Sequence, residues 1–360
     1  MNKLQRMSAI AGLGVAICAL VGCGGGGGDP AVDTNPPPAG GGGGGTAVNP
    51  GLTGSFYFTA AGTDDMFRVD AATGVRTPLL RGSTSRHFVY VSPDGSRYAE
   101  AINDSVVGQE NSEYMVLSVY ETATKKLLTK LQFDGFAASF KFSPDNRFLA
   151  AIRYPDLVTQ GTLAESGLAI LDLADPANPK AVVDFSRTGS NVVFGYDWLP
   201  GNQFIYLRRD RTLVTGSALV QGGNEVVTGT LQVPTDLSVA RPINASPDGT
   251  KLLLNYTWTE GDSRTDVWIS AIDGTGSQRF STGNYGQGAS WSPDGKYIVL
   301  STDAGWFAQG GASTFYCKRW YAPSSARGVY EGSPESRPVQ YLESGKAAVM
   351  PCSGSASYLY

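Results

Sequence analysis

The chain has 360 residues, of which 17% are charged, and its formal net charge is −4. Nucleic-acid binding draws much of its affinity from the neutralisation of phosphates, so a mildly acidic chain without a basic stripe is a poor candidate for it. The chain contains one histidine, His87, which also makes multi-histidine metal sites, c-type haem and most histidine-dependent hydrolase designs poor candidates.

The first 22 residues have the pattern of an export signal. Lys3 and Arg6 precede an apolar run that is shorter than the roughly 20 residues a membrane span needs. The run ends in Leu20-Val21-Gly22-Cys23, which resembles the lipobox of bacterial lipoproteins. The resemblance implies a signal peptide at 1–22 and lipidation of Cys23. Gly24 in place of an aspartate implies an outer-membrane anchor, on the periplasmic side or at the cell surface. The alternative is an ordinary cleaved signal that leaves Cys23 as a stray thiol.

Residues 23–50 form a glycine- and proline-rich stretch that is expected not to fold. It contains two polyglycine blocks and almost nothing apolar to offset the loss of backbone entropy. A coil of this length reaches about 28–30 Å, so it would act as a flexible tether. The glycines are not a phosphate-binding loop, because they follow no strand and lack the Gly-Lys-Ser/Thr ending; we therefore expect no nucleotide.

A short phrase recurs through the rest of the chain, at intervals near 50 residues. Proline presets the first corner of a type I turn, aspartate suits the second, and glycine or asparagine takes the left-handed position, so each copy predicts a turn between two strands. The copies are Ser92-Pro93-Asp94-Gly95, Ser143-Pro144-Asp145-Asn146, Ser246-Pro247-Asp248-Gly249, Ser292-Pro293-Asp294-Gly295 and a worn copy, Trp198-Leu199-Pro200-Gly201-Asn202.

A second set of six turns falls half a repeat later. These are Asp70–Gly74, Glu121–Lys125, Asp172–Pro176, Gln221–Asn224, Asp273–Gly276 and Pro323–Gly328. Most have apolar strands on both sides, and helical periodicity is absent from the region.

Four short antiparallel strands per unit over residues 51–360 predict an all-β, six-bladed β-propeller, with seven blades as the alternative. We expect a C-terminal strand to pair with the N-terminal one, because a closed ring leaves no exposed strand edge. Pro338–Met350 is the predicted closing segment, with Glu343-Ser344-Gly345-Lys346 where a sixth turn would fall.

The repeated Ser-Pro-Asp-Gly phrase and the strand after it resemble the TolB-like β-propellers with WD-type blades, from about Thr53 to the C-terminus. TolB joins its propeller to an N-terminal α/β domain and is a soluble periplasmic protein. In this sequence the lipobox-like signal and the glycine-rich tether occupy the position of that α/β domain. The resemblance therefore implies the propeller fold but does not imply a role in the Tol system. Peptidases with similar propellers also carry a catalytic domain, for which no residues remain.

Cys317 and Cys352 remain after Cys18 and Cys23 are assigned to the signal and the lipid. In an oxidising compartment they are expected to pair, and such a disulfide would latch the closing segment to the last blade. Two buried free thiols are the alternative.

The long connections of each blade, between its second and third strands, predict the working face, because long loops carry function more often than tight turns do. The candidate binding residues there are Tyr154, Trp258, Glu260, Asp262, Tyr285, Trp306 and Phe307. Arg81, Arg86 and His87 are expected near the mouth of the central channel. The alternatives are rings that cover loop bases, solvated carboxylates and a structural histidine. Trp198 and Trp291, beside their turns, are interpreted as core or inter-blade packing.

These observations favour a non-catalytic lipoprotein that binds an envelope protein or a glycan through its long-loop face and contacts the membrane through its N-terminal lipid. We expect no catalytic residues, no metal and no cofactor. The alternative is a hydrolase or lyase acting on a sugar or lactone, with carboxylates and a divalent ion such as Ca²⁺ at the channel mouth.

Overall fold

The computed structural model describes residues 48–359 apart from 60–64, 81–86, 106–112, 135, 155–164, 235–236, 259–264, 283–288, 302–305, 310–311, 316–317 and 351–356. Within these residues nearly all regular structure is β-strand. The helical segments among them are two short 3₁₀ turns, Gly189–Asn191 and Pro200–Asn202. The prediction of an all-β fold is confirmed.

The strands form six four-stranded antiparallel sheets, the blades of a propeller. We number the blades in chain order and letter the strands of each blade A to D from the axis outward. Blade 1 contains β28 (Ser357–Leu359), β1 (Ser55–Thr59), β2 (Met66–Asp70) and β3 (Arg76–Leu80). Blade 2 contains β4 (His87–Val91), β5 (Arg97–Ser105), β6 (Glu113–Glu121) and β7 (Leu127–Asp134). Blade 3 contains β8 (Phe136–Phe142), β9 (Phe148–Tyr154), β10 (Glu165–Asp172) and β11 (Lys180–Thr188).

The second half of the ring repeats this order. Blade 4 contains β12 (Val193–Leu199), β13 (Gln203–Arg208), β14 (Thr212–Ser217) and β15 (Val226–Thr230). Blade 5 contains β16 (Leu237–Ala245), β17 (Lys251–Trp258), β18 (Thr265–Ala271) and β19 (Gln278–Arg279). Blade 6 contains β20 (Ala289–Trp291), β21 (Tyr297–Ser301), β24 (Arg319–Pro323) and β25 (Arg337–Pro338). Two further hairpins are β22 (Trp306–Gln309) with β23 (Ala312–Phe315), and β26 (Gln340–Glu343) with β27 (Lys346–Val349).

Six clusters of buried apolar side chains hold the ring together, and each lies between two neighbouring blades. Phe148 of blade 3 and Trp198 of blade 4 share one cluster, and Phe56 of blade 1 and Tyr321 of blade 6 share another. Because the seams include the one from blade 6 back to blade 1, the ring is closed. The prediction of six blades is confirmed, and the seven-bladed alternative is wrong.

The ring closes through a C-terminal strand, but not through the segment that the sequence indicated. β28 pairs antiparallel with β1, with Phe56 opposite Tyr358, so the chain end supplies the A strand of blade 1. The assignment of Pro338–Met350 is wrong: most of it folds into the β26–β27 hairpin, and Ser344 and Gly345 form the tip of that hairpin with positive φ. Val339 and Met350 bond to each other and to Arg319 of blade 6 instead.

The predicted turns are confirmed in all six blades. The five Ser-Pro-Asp-type turns connect the A and B strands of blades 2 to 6, and the six turns of the second set connect C to D. Blade 1 has no A–B turn because its A strand comes from the other end of the chain, which explains why the sequence contains five turns of one set and six of the other.

The folded domain begins slightly earlier than Gly51. Asn49 is fully buried, and its side-chain amide donates to the carbonyl oxygens of Ala71 (2.7 Å) and Gln340 (2.8 Å). Val48 packs against Gly74, where an added Cβ would lie 2.6 Å from a Val48 methyl group. The last residues of the predicted linker are therefore part of the blade 1–blade 6 seam.

Candidate functional site

The strand order places the connections of the propeller at two opposite ends of the ring. The A–B and C–D turns lie at one end, which we call the turn face, and the B–C and D–A connections begin at the other, the loop face. The β26–β27 hairpin, in the D–A connection from blade 6 to blade 1, reaches the turn face, where the Leu342 N–H donates to the Gly74 carbonyl (2.7 Å). The B–C connections include residues 106–112, 155–164 and 259–264 and the β22–β23 hairpin, whereas blade 4 uses only Arg209–Arg211. The B–C connections of blades 3 and 6, residues 155–164 and 302–318, therefore begin and end at the loop face, which stays the candidate working face; on the turn face, the C–D connection of blade 6, residues 324–336, is comparably long.

The prediction that Tyr154 offers an accessible ring on this face is wrong. Tyr154 is the last residue of β9, is only 4% exposed, and belongs to the cluster that contains Leu168 and Tyr206. A ring at the end of a strand that is buried along its length is drawn into the seam between blades. Tyr154 therefore covers the base of its loop.

Three further candidate aromatic residues have backbone positions at the loop-face end of neighbouring blades. Trp258 ends β17 of blade 5 opposite Leu237. Trp306 and Phe307 belong to β22, inserted between the B and C strands of blade 6. His87 begins β4, so its backbone lies at the loop-face end of an innermost strand. Arg81, Arg86, Glu260, Asp262, Tyr285, Cys23, Cys317 and Cys352 lie outside the described residues, and their assignments stay predictions.

The Ser-Pro-Asp turns on the turn face have a structural explanation, because the serine hydroxyl and one carboxylate oxygen of the aspartate are hydrogen-bonded within each turn. In blade 5 the Ser246 hydroxyl donates to Asp248 Oδ1 (2.6 Å) and accepts the amide of Lys251 (2.9 Å). Asp248 Oδ1 also accepts the amide of Thr250 (3.0 Å). Ser92, Ser143 and Ser292 repeat the serine contacts in their own blades. The phrase thus builds a self-contained turn and leaves no serine free for chemistry.

These contacts shift the acidity of the turn carboxyls. The hydrogen bond from Ser246 lowers the pKa of Asp248, and the bonds from Thr250 add to this. Around Asp94, partial burial raises the pKa, but the bonds from Ser96 and Ser92 outweigh it and the net pKa is lowered. The pKa values of Asp145 and Asp294 are lowered by the same balance. The carboxyls are therefore held ionised, as turn-stabilising acceptors require.

Polar side chains of three innermost strands form a network along the wall of the channel, and none of its residues was among the candidates predicted from the sequence. Lys141 Nζ of blade 3 lies 2.8 Å from Asp197 Oδ1 of blade 4 and 3.3 Å from Asn244 Oδ1 of blade 5. Asp197 Oδ2 accepts the amide of Ala245 (2.7 Å), and Asn244 Nδ2 donates to the carbonyl of Ala289 in blade 6 (2.9 Å). The network connects four blades whose inner strands share no ladder with one another.

A signal for this network exists in the sequence. Lys141, Asp197 and Asn244 each stand three residues before the proline of their A–B turn, so aligning the repeats places them at one height on the inner strands. The tryptophans one position later, Trp198 and Trp291, bond through the indole N–H to the carbonyls of the preceding blade, at 3.1 and 3.3 Å. Their interpretation as inter-blade packing is confirmed.

The turn face also has a shallow, open depression of about 270 Å³ between blades 2 and 3. Its charged walls are engaged: Arg97 donates to the carbonyls of Asn146 and Leu173, and Arg147 pairs with Asp172. Among the described residues, no group of three or more His, Cys, Asp or Glu side chains could hold a metal ion. No helix in the described part of the chain is long and apolar enough to span a membrane.

No family model and no curated protein matches the chain. Among solved structures it is similar to TolB from Acinetobacter baumannii, at 16% identity and a TM-score of 0.44 over 77% of this chain, and spans 65% of that protein's length. It is similar to a putative TolB from Agrobacterium tumefaciens, at 15% identity and a TM-score of 0.44 over 78% of this chain and 88% of that one. An oligogalacturonate lyase from Vibrio parahaemolyticus is similar at 10% identity and a TM-score of 0.45, over 74% and 70% of the two chains.

Proposed function

We propose that this chain is a non-catalytic, lipid-anchored protein of the cell envelope whose propeller binds a protein or glycan partner through the loop face. The observation that carries the proposal is the asymmetry of the ring. In every A–B turn with the full Ser-Pro-Asp phrase the serine hydroxyl bonds to the aspartate of the same turn, whereas the B–C connections of blades 3 and 6, residues 155–164 and 302–318, are much longer and begin and end at the opposite end. Long loops on a rigid scaffold are where binding residues concentrate.

Two neighbouring blades supply the aromatic anchors of the proposed surface. Trp258 closes the B strand of blade 5, and Trp306 and Phe307 stand on the hairpin that extends blade 6. Tryptophan is enriched among residues that dominate binding energy, because a large ring loses little conformational entropy when a partner covers it. The lipobox-like Leu20-Val21-Gly22-Cys23 supports the anchor.

Affinity capture of the tagged full chain from its own envelope tests this function. We expect a specific protein or glycan to be recovered with the wild type and to be lost with Trp258→Ala combined with Trp306→Ala. Tyr330→Ala is the matched control, because Tyr330 is a half-exposed aromatic of the β24–β25 connection, outside the proposed surface. Unchanged recovery with the double variant contradicts the loop face as the binding surface. Turnover of a sugar or lactone by the purified chain would support the enzyme alternative.

A further inference from the structure

The exposed apolar side chains of the described residues are concentrated at one end of the propeller. Eight large hydrophobic residues are exposed; six of them lie in or directly after the C–D turns of blades 1, 2 and 4, and Tyr330 lies in the longer C–D connection of blade 6. These six, which we call the apolar rim, are Val75, Leu127, Leu219, Val220, Val226 and Val227. They belong to blades 1, 2 and 4 and are 46–60% exposed.

The blade 4 hairpin is the most prominent part of the rim. Leu219 and Val220 lie in the turn, and Val226 and Val227 begin β15. Successive residues of a strand point to opposite faces, yet Val226 is 58% and Val227 60% exposed. Both faces of β15 are therefore exposed at its first residues, although the turn itself contacts blade 3, where the Gly222 N–H donates to the Val182 carbonyl (2.8 Å).

The N-terminal segment joins the domain on the same face. Asn49 binds Ala71 and Ala72 in the C–D turn of blade 1, and Val48 lies against Gly74. Gly74 immediately precedes Val75, so the chain that leads back to Cys23 leaves the propeller beside a residue of the apolar rim. The 24 residues between Cys23 and Val48 would span about 27–29 Å as a flexible coil.

We propose that the turn face rests on the lipid bilayer through the apolar rim, and that the loop face is thereby directed away from the membrane. The inference rests on the proposed lipid anchor at Cys23. Once the lipid holds the chain on the membrane, contact between the domain and the bilayer is an intramolecular event at an effective concentration of about millimolar. Even a weak contact between the apolar rim and the bilayer is then formed in a large share of the molecules. A flexible tether of this length would allow the domain to turn in any direction, and contact between the rim and the bilayer would favour the orientation in which the turn face lies on the membrane.

The distribution of the rim favours a bilayer over a protein partner. A protein partner buries one contiguous patch with a central anchor, whereas the rim is spread over separate turn tips of three blades. A flat lipid surface can contact the turns of all three blades at the same time. Interfacial binding grows stronger with the apolar area that enters the lipid, so several turn tips that enter together contribute to one contact.

Photo-crosslinking of the full lipidated chain on vesicles of phosphatidylethanolamine and phosphatidylglycerol tests the proposal. A benzophenone amino acid replaces Leu219 in one sample and Asp210, in the tight loop-face turn of the same blade, in the matched control. We expect at least five times more lipid adduct at position 219 than at 210. We expect Val220→Asp to reduce the yield at 219, because it places a charge beside the probe in an exposed turn.

Equal adducts at the two positions, no lipid adduct at 219, or protein adducts at 219 would each overturn the orientation. Co-flotation of the protein with the vesicles tests the lipid anchor separately. The Cys23→Ser variant should not float with the vesicles. Lipidated chain that floats without a lipid adduct at 219 leaves the anchor standing and refutes the role of the rim. Wild-type chain that fails to float refutes both.

Discussion

Asn49 and Gln340 lie 291 residues apart and form a reciprocal pair of hydrogen bonds. The Asn49 amide nitrogen donates to the Gln340 carbonyl (2.8 Å), and the Gln340 backbone N–H donates to Asn49 Oδ1 (2.7 Å). The same side chain reaches the carbonyl of Ala71 in blade 1. One buried asparagine thus joins the N-terminal segment, the first blade and the segment that follows the last blade.

We therefore expect Asn49→Ala to lower the free energy of unfolding by about 2–3 kcal/mol, because it removes the side-chain partner of the buried Ala71 carbonyl and of the partly buried carbonyl and N–H of Gln340. Urea denaturation followed by tryptophan fluorescence measures the change. Asn178→Ala, at an exposed asparagine in the C–D turn of blade 3, should change stability by less than about 0.5 kcal/mol. Similar losses in the two variants would show that Asn49 does not act as a latch.

The serine of the repeated turn gives a second prediction. Ser246→Ala removes the hydroxyl that donates to Asp248 and accepts the Lys251 amide, so we expect a loss of about 1–2 kcal/mol. Ser325→Ala is the control, because Ser325 is an exposed serine in a turn on the same face. Thermal unfolding should separate the two variants by several degrees. Equal midpoints would show that the hydroxyl is dispensable to the turn.

The turn carboxyls predict a loss of stability in acid. Folding lowers the pKa of Asp94, Asp145, Asp248 and Asp294 below the usual 3.8. Groups of this kind stabilise the fold above the usual pKa and lose that contribution as the pH falls through the folded-state value. Unfolding measured between pH 6 and pH 2.5 should therefore show stability falling below about pH 4. Asp248→Asn should be less stable at neutral pH and fall less steeply in acid. A parallel fall in both proteins would contradict the assignment.

The turns could be predicted from sequence because their chemistry is local. Proline, aspartate and a residue that accepts positive φ specify the bend within five positions, and Gly95, Asn146, Gly249 and Gly295 do have positive φ. The closing strand could not be predicted in this way. Two C-terminal segments have strand character, and the choice between them depends on pairing with β1 some 300 residues away, which no local pattern records.

The features of the candidate site that the sequence did not predict also depend on contacts between distant repeats. The long connections can be recognised in the sequence as gaps between predicted strands. Whether an aromatic ring at the end of a strand faces solvent or packs between two blades depends on the neighbouring blade, which the local sequence does not show. The sequence predicts an accessible Tyr154, whereas its ring packs in the seam between blades 3 and 4. The Lys141–Asp197–Asn244 network was hidden because its members come from three repeats and meet only after the ring has formed.

Ring closure by β28 predicts a specific defect when that strand is removed. Deletion of Ser357–Tyr360 leaves the β1 edge unpaired, and an unpaired edge invites association with other chains. We expect lower thermal stability and concentration-dependent association in light scattering. Deletion of Tyr360 alone is the control, because the paired residues Ser357 to Leu359 remain. A monomeric, equally stable four-residue deletion would show that β28 contributes little to closure.

The channel network predicts an asymmetry between its two charged members. Asp197 is 6% exposed and accepts both Lys141 Nζ and the Ala245 amide, whereas the Lys141 side chain is 30% exposed and can recover hydration when its partner is lost. We expect Asp197→Ala to cost about 2–4 kcal/mol, mainly because it leaves the buried Ala245 amide without its acceptor, and Lys141→Met to cost at least as much, because it leaves a nearly buried carboxylate without its counter-charge. The two changes share partners, so the double variant should be more stable than the sum of the single losses by about 0.5–3 kcal/mol. Urea denaturation of the four proteins measures this coupling, and strict additivity would mean that the ion pair does not connect blades 3 and 4.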